Sequence, residues 1–141
     1  MFSQNQKLPG TADQSGKVGW LGHSANFSVD TERRLVIVRF GRKVSIDVIA
    51  SYASRLRTHP SFEPTFSEIV DMSATEELDL SADDFLRLAD QVDPFSPEAK
   101  RAFVVKDSVQ RHAARLHKIL GSYKKITMFD SIAAAERWIR S

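Results

Sequence analysis

A chain of 141 residues with 42% hydrophobic content suits a single domain with one core. It contains no cysteine, which excludes disulfides, thiolate nucleophiles and every zinc site that needs sulfur. The formal net charge of +2 is too small to argue for nucleic acid, and no apolar run approaches the ~20 residues of a membrane span, so a cytoplasmic protein is expected.

Residues 1–22 are rich in Ser, Gln and Gly, with Trp20 and Leu21 as the late apolar points, and read as a flexible tail. They hold no apolar stretch long enough for a signal peptide. The folded domain is expected over residues 23–141. Its first strand begins near Ser24, where Phe27 and Val29 alternate with polar residues. A turn at Asp30-Thr31-Glu32-Arg33 leads into a second strand, Leu35–Phe40, and the pair reads as a β-hairpin.

Ser45 is a suitable N-cap for a helix that carries Val48, Ile49, Tyr52 and Leu56 on one stripe, and His59-Pro60 stops it. A short apolar strand covers Ser67–Met72. Ser81 then opens a second helix, with Asp83 and Asp84 in its first turn and Phe85, Leu88, Ala89 and Val92 inward. Ser96-Pro97 suggests another short helical turn. Ala102–Val105 is the fourth strand. Asp107 or Ser108 caps a third helix whose Val109, Ala113, Leu116 and Leu120 are expected to face the core, and Gly121 ends it. Lys125–Phe129 is the fifth strand. Asp130 or Ser131 starts the last helix, with Ile132, Ala135 and Ile139 inward and Trp138 beside them.

The order ββαβαβαβα predicts an α/β fold. It is a single mixed, mostly parallel five-stranded sheet with an N-terminal antiparallel hairpin and about four helices. Ligands of open sheets gather at the carboxyl ends of the strands. That edge carries the Asp71–Ser81 loop, Lys106-Asp107 and Asp130-Ser131.

The segment IVDMSATEELDLSADDF resembles the signature of STAS domains, the family of anti-sigma-factor antagonists. Asp71-Met72-Ser73 matches the family's strand end, and Asp79-Leu80-Ser81-Ala82 matches its Asp-Ser-Ser-Gly helix start. The element order is similar from about Ser24 to Ser141, and nearest to an uncharacterised bacterial STAS-like branch grouped with lipid-binding SEC14-type domains. The resemblance implies a phosphoacceptor serine at Ser81, although Leu80 replaces the first serine and Ala82 the glycine. A phosphate there would gain at most ~2 kcal/mol from the helix dipole. Asp79, Asp83 and Asp84 nearby would each repel a unit charge by about 0.6 kcal/mol even in water. Ser81 therefore reads first as a helix cap and second as a phosphoswitch.

Charge is polarised along the chain. Residues 63–98 hold 11 acids and one base, whereas the remainder holds 19 bases against 7 acids. Such polarity favours oriented encounters with a charged partner. The candidate partner-binding residues are Asp71, Ser73, Glu76, Glu77, Asp79 and Phe85. Arg111, Arg115 and Lys118 form a basic stripe on the third helix that could touch phosphates, lipid head groups or an acidic partner. Such a stripe is more often a solvated face. His23, His59, His112 and His117 are read as solvated or tail residues, since none pairs at the usual metal spacing. The acids Asp71, Glu76, Glu77 and Asp79 give only weak support for a hard cation. Neither a metal nor a cofactor is expected.

No Ser-His-Asp order, catalytic carboxylate pair or Gly-rich phosphate loop can be assembled, so an enzyme is not expected. Two readings survive. One is a protein-interaction module acting around Asp79–Phe85, with a homodimer among its allowed states. The other is a carrier of an apolar small molecule or lipid in a pocket under the helix starting at Ser81.

Overall fold

The computed structural model describes residues 25–141, so the tail assigned to residues 1–22 lies outside the described residues. In chain order the elements are β1 (Ala25–Asp30), β2 (Leu35–Phe40), β3 (Lys43–Ser45), α1 (Ile46–Arg57), β4 (Ser67–Asp71), β5 (Glu77–Asp79), α2 (Ala82–Arg87), β6 (Arg101–Val104), α3 (Ser108–Leu120), β7 (Ile126–Phe129) and α4 (Ile132–Arg140). A single wide π turn, Leu88–Val92, continues α2.

β1 and β2 form the expected antiparallel hairpin, in register from Ala25↔Phe40 to Asp30↔Leu35. Asp30 shapes the turn by accepting from the Arg33 backbone amide at 3.1 Å and from its Nε at 2.7 Å. Arg34 closes it in the left-handed region, with φ 51°.

The five-stranded sheet has the order β1-β2-β4-β6-β7, and every pair after the hairpin is parallel. Strand order follows chain order from β2 onward, so right-handed crossovers put α1, α2 and α3 on one face. α4 follows the last strand and returns across the other face. The strands alternate to serve both layers. Val36, Val38, Val70 and Phe103 join the core beneath the three helices, and Leu35, Ile69, Ala102 and Val104 meet Ala135 of α4. This two-sided burial explains why the central strands read as continuous apolar runs.

The helix caps follow the sequence. Ser45, Ser81, Asp107 and Ser131 each accept a backbone amide in the first turn of the helix they open. Gly121 ends α3 as expected. A Cβ there would lie 2.0 Å from the Tyr123 ring, so the close approach, not the backbone angle, demands glycine.

Three expectations are corrected. Ser96-Pro97 forms a hydrogen-bonded turn, with Glu98 N donating to Ser96 Oγ at 3.2 Å, and not a helix. The Asp71–Ser81 loop contains β5, which pairs in parallel with β3 from Lys43↔Glu77 to Ser45↔Asp79. Three-residue strands are too short to register as a period. The third correction concerns α3, whose buried residues are Gln110, Ala114 and His117. Val109 and Leu120, expected inside, are exposed, as is the adjacent Ile119. The helix is rotated by about one residue, or ~100°, from the orientation its apolar stripe suggests.

Candidate functional site

The loop after β4 is held by its own side chains and by one residue of α3. Asp71 is buried, and its Oδ1 accepts from the Ser73 amide at 2.9 Å. Thr75, fully buried, donates its hydroxyl to the Gly41 carbonyl at 2.9 Å. Gln110 then reaches across from α3. Its Nε2 donates to the carbonyls of Met72 at 3.2 Å and Thr75 at 3.1 Å, while its Oε1 accepts from the Lys106 amide at 3.0 Å. The two carbonyl bonds are buried and the third is partly so, and together they fix the loop to the end of β6.

The candidate residues divide accordingly. Asp71 is buried in the loop's internal support, with its Oδ2 3.8 Å from the exposed Arg39. Ser73, Glu76, Glu77 and Asp79 are exposed. Lys43 on β3 lies 3.9 Å from Glu77 and 3.7 Å from Asp79, an exposed pairing of small energetic weight.

Ser81 is the N-cap of α2 in a complete capping box. Its Oγ accepts from the Asp84 amide at 3.1 Å, and its own amide donates to Asp84 Oδ2 at 2.9 Å. Phe85 is half-buried and turned toward the core, whereas Leu86 is 52% exposed. On α3, Arg111 is tied to Asp130 at 2.7 Å, which removes one member of the basic stripe from free solvent. Arg115 is exposed and Lys118 half-buried.

Beside that stripe the rotated α3 presents Val109 (63% exposed), Ile119 (73%) and Leu120 (38%). α2, carrying Leu86, is a packing neighbour of α3. Single exposed apolar side chains are ordinary, and here four are exposed on two neighbouring helices.

Beneath the same helices lies a buried ionic cluster that sequence reasoning missed. Arg101 of β6 donates from Nε to Glu68 Oε1 at 2.9 Å and from one terminal nitrogen to Asp93 Oδ2 at 2.8 Å. Its other terminal nitrogen lies 2.8 Å from Glu68 Oε1. Asp93 Oδ2 also meets His117 Nε2 at 2.7 Å, and Oδ1 accepts the Phe95 amide at 2.9 Å. Tyr52 of α1 donates to Glu68 Oε2 at 2.6 Å. The expectation of a solvated His117 is therefore overturned, because the ring is buried, carboxylate-bound and stacked on Tyr123.

Burial alone would raise the Asp93 carboxyl, but Arg101 and His117 outweigh it and hold the group well below the usual carboxylate range. Burial likewise opposes the Arg101 charge, and Glu68 and Asp93 more than restore it. Tyr52 is pushed well above its ordinary value, first by burial and then by the Glu68 charge. Asp93 reaches the cluster because the π turn ends on it, with its amide donating to the Leu88 carbonyl at 3.0 Å. Turns of this kind are frequent at functional sites.

A partly open cleft of about 90 Å³ separates this cluster from α2. Its walls include Ile49, Leu78, Leu80, Phe85 and Leu88, and its floor holds Glu68, Asp93, Arg101 and His117. Phe85 lines it, whereas Leu86 is not among its walls. Among the described residues there is no group of three or more metal-ligating side chains, and no helix is long and apolar enough to cross a membrane.

Comparisons with known proteins agree with this geometry at the level of fold. No protein-family profile and no curated protein matches the chain. A solved structure does: an uncharacterised protein of the DUF3478 family, with a SpoIIAA-like fold, from Shewanella loihica PV-4. It superposes with a TM-score of 0.60 at 15% identity, over 90% of this chain and 99% of that one. The chain therefore has a STAS-like fold.

Proposed function

We propose that this chain is a non-enzymatic regulatory or protein-interaction module of the STAS type, acting in the cytoplasm through the strand-end loop and the adjoining helices α2 and α3. The observation that carries the reading is the exposure of four large apolar side chains, Leu86 on α2 and Val109, Ile119 and Leu120 on α3. α2 follows directly on the strand that carries the exposed acids Glu77 and Asp79, and Gln110 ties the first turn of α3 to the same loop. Apolar side chains at the centre with charges at the rim are the usual anatomy of a recognition surface. The loop is also pre-ordered by Gln110 and by β3, which lowers the entropy that binding must overcome.

A second reading, a carrier of a small apolar molecule, rests on one observation: the cleft beneath α2.

The test of the first reading is capture of a protein partner from the source organism by the tagged full chain. Amide replacement of Glu76, Glu77 and Asp79 should abolish capture while leaving stability within roughly 0.5 kcal/mol per site. Ile119→Asp should do the same. Rising salt should weaken capture steeply, because exposed charges are screened beyond about 8–10 Å at physiological ionic strength. A partner retained through all three treatments would refute the reading.

A further inference from the structure

The floor of the cleft constrains what can occupy it. The guanidinium of Arg101 carries five N–H groups, and three are engaged by Glu68 and Asp93. All four carboxylate oxygens of the cluster are already engaged, by Arg101, Tyr52, His117 and the Phe95 amide. His117 Nδ1 is buried and has no hydrogen-bond partner. The unspent donors therefore lie with Arg101 and the one unpartnered ring nitrogen with His117, while each acid keeps a single lone pair, on Glu68 Oε2 and on Asp93 Oδ1.

Charge sharpens the constraint. Glu68 and Asp93 against Arg101 leave the cluster at −1 with the His117 ring neutral and at zero with it protonated. An anionic ligand would meet a floor with no net positive charge. A cationic ligand would find one spare lone pair on each acid, too little to replace the hydration it loses among mostly apolar walls, and could gain more only by opening a buried ion pair, which is a costly exchange. An uncharged ligand disturbs neither balance. Its single oxygen, as hydroxyl or carbonyl, can accept one of the two uncommitted Arg101 N–H groups.

Size follows from the volume. The cleft's ~90 Å³ is below the roughly 150 Å³ of a dry protein cavity that takes benzene. One ring, or an aliphatic body of that bulk, therefore sits partly in the enclosed space and partly in the open mouth of the cleft.

We propose that the cleft between α2 and the sheet binds a small uncharged molecule, an apolar body of single-ring size bearing one hydroxyl or carbonyl oxygen, and that the buried Glu68–Arg101–Asp93–His117 cluster selects against charged analogues. This rests on the carrier reading and adds to it the ligand's charge state and size.

Three probes of matched shape test it on the full chain: benzyl alcohol, benzoate and benzylammonium, each titrated at neutral pH and followed by backbone amide NMR. Benzyl alcohol should give saturable shifts at Ala53, Leu88 and Ala114, which surround the cleft. Benzoate and benzylammonium should bind at least tenfold more weakly. Ala113→Leu, which narrows the cleft from half-buried Ala113, should remove the benzyl alcohol shifts in a protein that keeps its circular dichroism. Should that variant unfold, Ile49→Phe narrows the opposite wall and serves the same purpose.

Saturable binding of either charged probe as tight as that of benzyl alcohol overturns the charge-selection inference while leaving the carrier reading intact. No saturable shift with any probe, or shifts unchanged in the folded narrowing variant, overturns the carrier reading with it.

Discussion

Replacing Asp93 by alanine should be among the most damaging single changes in this protein. The carboxylate holds Arg101 at 2.8 Å and His117 at 2.7 Å, and it accepts the Phe95 amide at 2.9 Å. Its removal leaves Arg101, only 5% exposed in its side chain, with Glu68 as its one remaining counter-charge. It also strands the buried Nε2 of His117. Removing one partner of a buried ion pair costs about 3–5 kcal/mol, most of it the penalty of an uncompensated charge. For a folded body of this size that is a fall in Tm of roughly 10–20 °C.

Urea unfolding followed by far-UV circular dichroism reads the change directly. The midpoint should drop with little change in slope, since the surface exposed on unfolding is nearly the same. Asp90→Ala, three residues earlier and exposed, is the control and should stay within ~0.5 kcal/mol. A loss below about 1 kcal/mol for Asp93→Ala would refute the claim that the cluster is a tightly paired unit, because a solvated carboxylate would cost no more than that.

Acid should erode the same contribution. The Asp93 carboxyl is depressed in the folded state, so its stabilisation is complete above the unfolded value near 4 and is lost as pH falls further. The stability gap between the wild type and Asp93→Asn should therefore narrow between about pH 5 and pH 2 in urea titrations, and a constant gap would contradict the pairing. Gln110→Leu strips two loop carbonyls of their donor and should cost about 1–3 kcal/mol, with faster amide hydrogen exchange over residues 73–79. Ser81→Ala loses the capping box and should cost ~1 kcal/mol, while Ser81→Asp stays near wild type. The two Ser81 variants should bind a partner alike, and a clear preference for the alanine form would favour phosphoregulation instead. Deleting residues 1–22 should move Tm by no more than a few degrees, and loss of cooperative unfolding would show that Trp20 and Leu21 dock on the domain.

The strands and the caps were legible because each depends on local chemistry. Ser45, Ser81 and Asp107 or Ser108 announce helix starts through side chains that mimic a backbone acceptor, and the runs LVIVRF and RAFVV announce buried strands through continuous apolar character. The orientation of α3 was not legible. Its sequence offers two faces of similar bulk, and the choice falls to Gln110, a polar residue that is buried because the loop supplies its partners. A pattern that scores only apolarity turns such a helix outward. The same blindness hid the ionic cluster. Glu68, Asp93, Arg101 and His117 come from four separate elements or turns, each looks like a surface charge in its own segment, and only the sheet brings them together.

The signal that could have exposed them was alternation. Glu68 and Arg101 occupy positions in β4 and β6 that share a face with Val70 and Phe103. A charge at an inward position of a central strand needs a partner at the neighbouring strand's inward position. Asp71 is buried for a local reason. Its place at a strand end suggested exposure, yet one carboxylate oxygen accepts the Ser73 amide and the other faces Arg39 at 3.8 Å.

The interaction account is tested most directly by mapping contacts in the source organism. A photo-crosslinking residue placed in turn at Glu77, Leu86, Ile119 and Arg137 samples the proposed surface three times and the α4 face once. The account predicts one protein adduct shared by the first three positions and absent from the fourth. Adducts formed at Arg137 alone, or at none of the first three, would contradict it.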